Sequence, residues 1–160
     1  KEERKFYENM YKKLDKKFDF SDVKKVLDFG SGTGGFASIL AEKYPEIKVI
    51  AVDNDDWAVR NTKENIQKND QKIDVLKGDV DIIKNQQFDL ILGNINRNIL
   101  LKHIPAYAKM LLPGGTIILS GFYTDDLEAI RTKAKENDLN LINYTSKNNW
   151  VAAVFTAKEK

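Results

Sequence analysis

Cysteine is absent from the 160 residues, which removes disulfide frameworks, thiolate nucleophiles and cysteine-based zinc sites, and suits a reducing compartment. Histidine occurs once, at His103. A single imidazole makes neither a metal cluster nor a Ser-His-Asp arrangement, so His103 reads as a packing or surface residue and no metal site is expected. No apolar run approaches the length of a membrane span, and the start of the chain lacks the pattern of a signal peptide. A cytoplasmic protein with no membrane contact is the expectation. An excess of one charge is missing too: 26 basic against 24 acidic residues leave +2. Nucleic acid is therefore not an expected partner unless a local patch recognises it. Internal repeats, low-complexity tracts and linkers are also lacking. With 42% apolar residues over this length, one domain with a full core fits the chain.

What is present is an alternation of short apolar strands and amphipathic helices. Residues 25–29, 48–53 (KVIAVD), 73–76, 88–94 (FDLILGN) and 116–121 (TIILSG) read as strands. Residues 35–43 and 56–69, the stripe Leu100, Ile104, Tyr107 and Leu111, and the set Leu127, Ile130 and Ala134 read as helices, by helical spacing of the apolar positions. Pro113, Gly114 and Gly115 are expected to stop the third of these. The end of the chain differs: LNLINYT (139–145), a polar SKNN link and WVAAVFT (150–156) predict a two-stranded hairpin. Ahead of the first strand, Tyr7, Met10, Tyr11, Leu14 and Phe18 recur at helical spacing among nine Lys and Arg in the first 25 residues. This predicts an amphipathic helix over 1–22, with the main domain over 23–160. The sum is an α/β fold: a mainly parallel, Rossmann-like sheet with helices on both faces and an antiparallel hairpin at one edge. Ligands of such folds bind at the carboxyl ends of the strands.

The stretch VLDFGSGTGG (26–35) ends a buried strand in a glycine-rich turn and leads into a helix. Gly30, Gly32, Gly34 and Gly35 remove side chains where a backbone must turn tightly and lie against a ligand. Taken alone, the motif fits both GxGxxG and GxGxG and is a weak signal. Three more polar residues close strands on the same expected rim. Asp53 ends the second strand, 23 residues after Gly30, where a carboxylate can accept both hydroxyls of a ribose, or else cap the helix that follows. Asp79 can accept from an adenine amino group, or else serve a turn. Asn94 offers a donor and an acceptor beside a reacting centre, or else starts a helix. Asp28, inside the motif, repels a pyrophosphate but suits a cationic ammonium. That favours S-adenosylmethionine over a nicotinamide dinucleotide. Among other residues, Arg97 either meets an acidic group or is solvated. Trp57, Tyr123 and Trp150 either line a site or pack.

Together, VLDFGSGTG, AVDND, GD, FDLILGNINRNILL, LLPGGTIILSGF and NNWVAAVF resemble class I S-adenosylmethionine-dependent methyltransferases. The likeness covers about residues 23–156. The segments GNINRNILL and LSGFYTDD and the late Trp-Val-Ala strand are similar to one family in particular, the PrmA-type methyltransferases that modify lysine in large-subunit ribosomal protein eleven. The resemblance implies a seven-stranded sheet, S-adenosylmethionine as cofactor with S-adenosylhomocysteine as product, and a protein amine, of a ribosomal protein, as acceptor. It makes Gly30, Gly32, Gly34, Asp53 and Asn54 cofactor contacts, with Asp28 and Asp79 at the methionine and adenine ends. Asn94 and Ile95 fall at the methyl-transfer end, where Asn94 is also a cofactor contact. The region KFYENMYKKLDKK (5–17) has no counterpart of the family's Thr/His-bearing glycine segment. Nor does the chain, which starts at Lys1, contain the family's separate N-terminal domain. A small-molecule or nucleic-acid amine is the alternative acceptor, and a non-catalytic nucleotide-binding module is the second alternative. Oligomeric state leaves no mark on the sequence.

Overall fold

A computed structural model of the chain describes Lys5, Glu8, Asn9, Lys12 and residues 19–159. Those first four residues are helical, whereas residues 19–22 are not, so the helix expected over 1–22 does not extend to its expected end. The apolar stripe expected of that helix, Tyr7, Met10, Tyr11, Leu14 and Phe18, lies outside the described residues. The remainder forms two compact units, Lys1–Asp79 and Val80–Lys160.

The first unit contains β1 (Lys25–Phe29), α1 (Gly35–Lys43), β2 (Lys48–Asp53), α2 (Asp56–Lys68) and β3 (Ile73–Lys77). Its strands are parallel, with β2 flanked by β1 and β3; Val26 stands opposite Val49, and Ala51 opposite Val75. Val26, Leu27, Val49, Ile50, Ala51 and Val52 are all buried. A strand covered on both faces has to be apolar at consecutive positions, as these are, and not at alternate ones. The ends of α2 are marked by charge. Asp55 caps its start by accepting the Trp57 N–H at 3.2 Å, Asp56 occupies its first turn and Lys68 its last, each sign suiting the nearer pole of the helix.

In the second unit, β4 (Phe88–Asn94), α3 (Arg97–Met110), β5 (Leu111–Tyr123), α4 (Leu127–Glu136), β6 (Leu139–Lys147) and β7 (Trp150–Ala157) follow in order. The strands are arranged β4-β5-β7-β6, with β4 and β5 parallel and the last two pairings antiparallel. The hairpin expected from the sequence is therefore present, and its earlier strand forms the edge. The seven strands of the two units, mainly parallel with the antiparallel pair last, match the expected Rossmann-like α/β class. His103 is buried on α3, with its Nδ1 3.4 Å from the Tyr107 hydroxyl and the two rings edge to face. It packs, as expected of a lone histidine.

Two boundaries differ from expectation. The helix α3 ends at Met110, ahead of Pro113-Gly114-Gly115, and the strand begins at Leu111 and not at Thr116. Phe88 pairs with Leu111 and then Leu90 with Thr116, so the Pro-Gly-Gly segment is an excursion within the strand. Its tightness explains the glycine: a Cβ on Gly115 would stand 2.8 Å from the Leu112 carbonyl oxygen. The second difference is the hairpin link. Ser146 and Lys147 belong to β6, and only Asn148 (φ 52°) and Asn149 (φ 67°) turn the chain. Two successive left-handed residues form the tight turn whose twist suits a hairpin, and asparagine tolerates that region better than any residue except glycine.

We expect Asn149→Gly to raise stability by about 0.5 kcal/mol and Asn149→Val to lower it by about 1–2 kcal/mol, because a β-branched residue is strained at positive φ. Urea unfolding of the three proteins measures both changes.

Candidate active site

In the first unit the glycine turn follows β1 directly. The Gly30 and Ser31 amides both donate to the Val52 carbonyl, at 2.8 and 3.2 Å, which ties the turn to the end of β2. Gly30 (φ 73°), Gly32 (φ 58°) and Gly34 (φ 79°) all take left-handed backbone, a conformation that costs other residues about 1–2 kcal/mol each. Gly34 then caps α1 from that conformation. A Cβ built on Gly32 meets nothing within 4 Å, so the space over the turn is open.

Asp53 stands at the end of β2, and its carboxylate is already organised. Oδ2 accepts the Gly32 N–H at 3.0 Å and Oδ1 accepts the Asp55 N–H at 3.0 Å. The helix cap is Asp55, so the capping alternative for Asp53 is set aside. Each oxygen keeps a lone pair for an incoming hydroxyl. Asn54 is exposed beside it. The Gly78 N–H donates to the Asp53 carbonyl at 3.0 Å, which brings the exposed Asp79 to the same strand end.

Asp28 is buried, 4% exposed, one residue before the end of β1. Burial, and then the nearby Asp53 carboxylate, push its carboxyl up to about 7, against the opposing pull of the Ala37 backbone hydrogen bond. A second polar group is buried in the turn: Ser31 Oγ has no hydrogen-bond partner among the described residues. A buried acid whose carboxyl is pushed up by burial and by a neighbouring carboxylate, and an unsatisfied hydroxyl, are features a polar, cationic ligand would relieve. Together with the open face of Gly32 and the lone pairs of Asp53, this turn fits an adenosine-bearing ligand with an ammonium group. Trp57, also beyond Asp53, is 61% exposed.

In the second unit, β4 ends in Asn94, which is half-buried with Ile95. Asn96 is the residue that caps α3, accepting the Ile99 N–H at 3.1 Å. Asn94 is thereby free of the helix-start duty that the sequence left open. Ile95 N–H donates to the Ser120 carbonyl at 3.2 Å, placing Asn94 and Ile95 against the end of β5. The next residue there is Gly121 (φ 92°), and a Cβ on it would stand 2.8 Å from the Ile95 carbonyl oxygen and 3.0 Å from Asn94 Oδ1. A side chain at this position would collide with both oxygens. Sequence reasoning had placed Gly121 as the last residue of a strand and in a motif without assigning it this role; a glycine closing an apolar strand was the available signal. Arg97 Nη1 lies 3.4 Å from Asp126, so the acidic partner foreseen for it exists. Tyr123 and Trp150, each about half exposed, stack on one another with centroids 4.3 Å apart. A separate cleft of about 510 Å³ in this unit, lined by Pro105, Lys109, Leu111 and Asp138 among others, opens where β5 and β6 begin and contains neither Asn94 nor Ile95.

The described residues contain no cluster able to hold a metal ion, and no helix long and apolar enough to cross a membrane.

Comparison with known proteins points the same way. The family model for ribosomal protein L11 methyltransferase (PrmA) matches residues 10–158. A ribosomal protein L11 methyltransferase of Porphyromonas gingivalis is 48% identical over 134 residues, 82% of this chain and 46% of that protein. One from Phocaeicola vulgatus is 44% identical over 84% of this chain and 48% of its own length. The chain thus spans about half the length of the curated relatives it matches. Among solved structures, the ribosomal protein L11 methylase of Lactobacillus delbrueckii subsp. bulgaricus superimposes with a TM-score of 0.81 at 26% identity, covering 91% of this chain and 75% of that one. An S-adenosylmethionine-dependent methyltransferase from Clostridium acetobutylicum shares the fold at a TM-score of 0.74 and 14% identity, over 97% of this chain and 92% of its own. Matched over nearly its whole length by the family model and 48% identical to one curated member, this chain belongs to the ribosomal protein L11 methyltransferase (PrmA) family.

Proposed function

We propose that residues 23–160 form the catalytic domain of a cytoplasmic methyltransferase that uses S-adenosylmethionine to methylate an amine nitrogen of a ribosomal protein. The observation that carries the reading is the glycine turn whose Gly32 N–H holds the Asp53 carboxylate at 3.0 Å, in a chain of the PrmA family.

S-adenosylmethionine, when bound, supplies a methyl group on a sulfonium whose positive charge already activates the leaving group. What the protein must add is position and exclusion of water. In the first unit, Gly30, Gly32 and Gly34 let the backbone lie close to the donor. Asp53, flanked by Asn54, accepts the ribose hydroxyls, Asp79 accepts from the adenine amino group, and Asp28 faces the ammonium of the methionine part. In the second unit, the Asn94 side chain and the carbonyls of Asn94 and Ile95 accept hydrogen bonds from the acceptor amine, directing its lone pair toward the methyl. A free lysine amine has a pKa of about 10.4 and is protonated at neutral pH. Burial lowers that value and releases the lone pair, so the scheme needs no dedicated base. The stacked Tyr123 and Trp150 wall the acceptor.

Calorimetry with S-adenosylhomocysteine and NAD tests the cofactor, and transfer of a labelled methyl group to ribosomal protein L11 tests the acceptor. We expect binding of the first ligand only, and labelling of the protein. No binding of S-adenosylhomocysteine overturns the methyltransferase reading; binding without labelling overturns the acceptor alone. Asn94→Ala is expected to lower kcat about 100-fold while cofactor affinity stays within about twofold, since the amide acts on the acceptor. Full turnover with weakened cofactor binding would reverse that assignment.

Asp28 yields a pH dependence of definite sign. Its carboxyl titrates near 3.8 when unfolded and about 7 in the folded chain. Between those values the folded state binds more protons, so this group's contribution to stability is full below the lower value and declines as the pH rises through the upper one. Asparagine mimics the protonated acid. In ligand-free thermal melts, Asp28→Asn should match the native protein below about pH 4 and exceed it by a growing margin as the pH rises to about 8. Its affinity for S-adenosylhomocysteine should fall about tenfold through loss of the charge facing the ammonium.

A further inference from the structure

The glycine turn is gripped from behind by α2, and the chemistry above makes no use of that grip. Thr62, in the middle of α2, is 1% exposed. Its Oγ1 lies 2.9 Å from the Ala58 carbonyl one turn back and 3.0 Å from the Gly32 carbonyl, so a single hydroxyl proton is shared between helix and turn. Its methyl fills the space next to Gly34, where an added Cβ would stand 2.6 Å from Cγ2. Three residues on, Asn65 Nδ2 donates to the next carbonyl of the turn, that of Thr33, at 3.2 Å. Two successive carbonyls of the turn are thus drawn toward α2.

Gly32 is consequently held at both ends, its C=O by Thr62 and its N–H by Asp53 Oδ2. The other oxygen of Asp53 accepts the Asp55 N–H, and Asp55 caps the same helix that carries Thr62. The bonds close a ring: Asp53 to Gly32, Gly32 to Thr62, Thr62 along α2 to Asp55, and Asp55 back to Asp53. A carboxylate fixed in such a ring presents its remaining lone pairs in one direction without reorganising when a ligand arrives.

We propose that Thr62 is a positioning residue for the cofactor's ribose: its hydroxyl holds Gly32, and Gly32 holds the Asp53 carboxylate in the orientation that receives the ribose hydroxyls. The inference rests on the reading of Asp53 as the ribose ligand. It separates the two halves of one side chain. Thr62→Ser keeps the hydroxyl and loses the methyl, whereas Thr62→Val keeps the shape and loses the hydroxyl.

The test compares S-adenosylhomocysteine with its 2′-deoxyribose analogue by calorimetry on the whole chain. The native protein should bind the ribose form about 10- to 100-fold more tightly, the value of one hydrogen bond to a charged group. Thr62→Val should narrow that preference to about twofold or less, chiefly by weakening the ribose form, and Thr62→Ser should restore it. General loosening of the fold would weaken both ligands alike and leave the preference intact. A native protein without the preference overturns the Asp53 reading and this one with it. A Thr62→Val protein that keeps the full preference overturns the role of Thr62 alone. Should Thr62→Val fail to fold, Thr62→Ala replaces it, and equal loss in Thr62→Ser and Thr62→Ala would show that the methyl matters and overturn the proposal.

Discussion

The hydrogen bond from the Gly32 amide to the Asp53 carboxylate is the constraint on which the first unit's site depends. It joins the turn after β1 to the end of the neighbouring parallel strand, and it does so through the one functional group in the turn that a side chain would not obstruct. Three left-handed glycines, at 30, 32 and 34, bring that amide into line. A single buried acid, Asp28, lies underneath, its proton retained by burial and by the carboxylate of Asp53. Most proteins avoid two neighbouring carboxyls in one partly buried place, because neither can ionise without opposing the other. Here the arrangement is a standing demand for positive charge, which the proposed donor carries in its methionine part.

The second unit solves a different problem with the same economy of side chains. Asn94 Oδ1 and the Ile95 carbonyl oxygen lie so near Gly121 that a Cβ there would collide with both. Nearby duties are delegated to other residues. Asn96 caps α3, Arg97 pairs with Asp126, and Asp126 also accepts the Tyr123 N–H. Polar residues adjacent in sequence therefore divide into those that hold the backbone and those left to meet a ligand. The division is not strict, for Asp55 caps a helix whereas Asp53 holds two backbone amides and still keeps lone pairs.

Much of this was legible before any coordinates, because parallel strands buried on both faces write themselves as continuous apolar runs. β1, β2 and β4 begin and end where the apolar stretches do, and the helix caps lie at Asp55 and Asn96, acid or amide residues next to the apolar stripe. The excursion at Pro113-Gly114-Gly115 was misread as a helix stop, since the composition of a stop and of a bulge is the same and only the partner strand distinguishes them. The hairpin link was drawn too long because Ser146 and Lys147 look like loop residues, yet on an edge strand polar side chains face solvent at no cost. The contribution of Thr62 was not visible at all. A threonine within a helix carries no periodic signal, and its bond to Gly32 spans 30 positions of sequence.

The order β4-β5-β7-β6 has a consequence for how this unit assembles. An edge strand that pairs only with β7 has no purchase on the parallel sheet by itself. The two-asparagine turn joins β6 to its partner across the shortest loop a hairpin allows, an event of about microseconds in an unfolded chain, whereas parallel strands such as β4 and β5 must first close a loop around an intervening helix. The hairpin can thus arrive as a finished piece and dock along β5 through β7 alone.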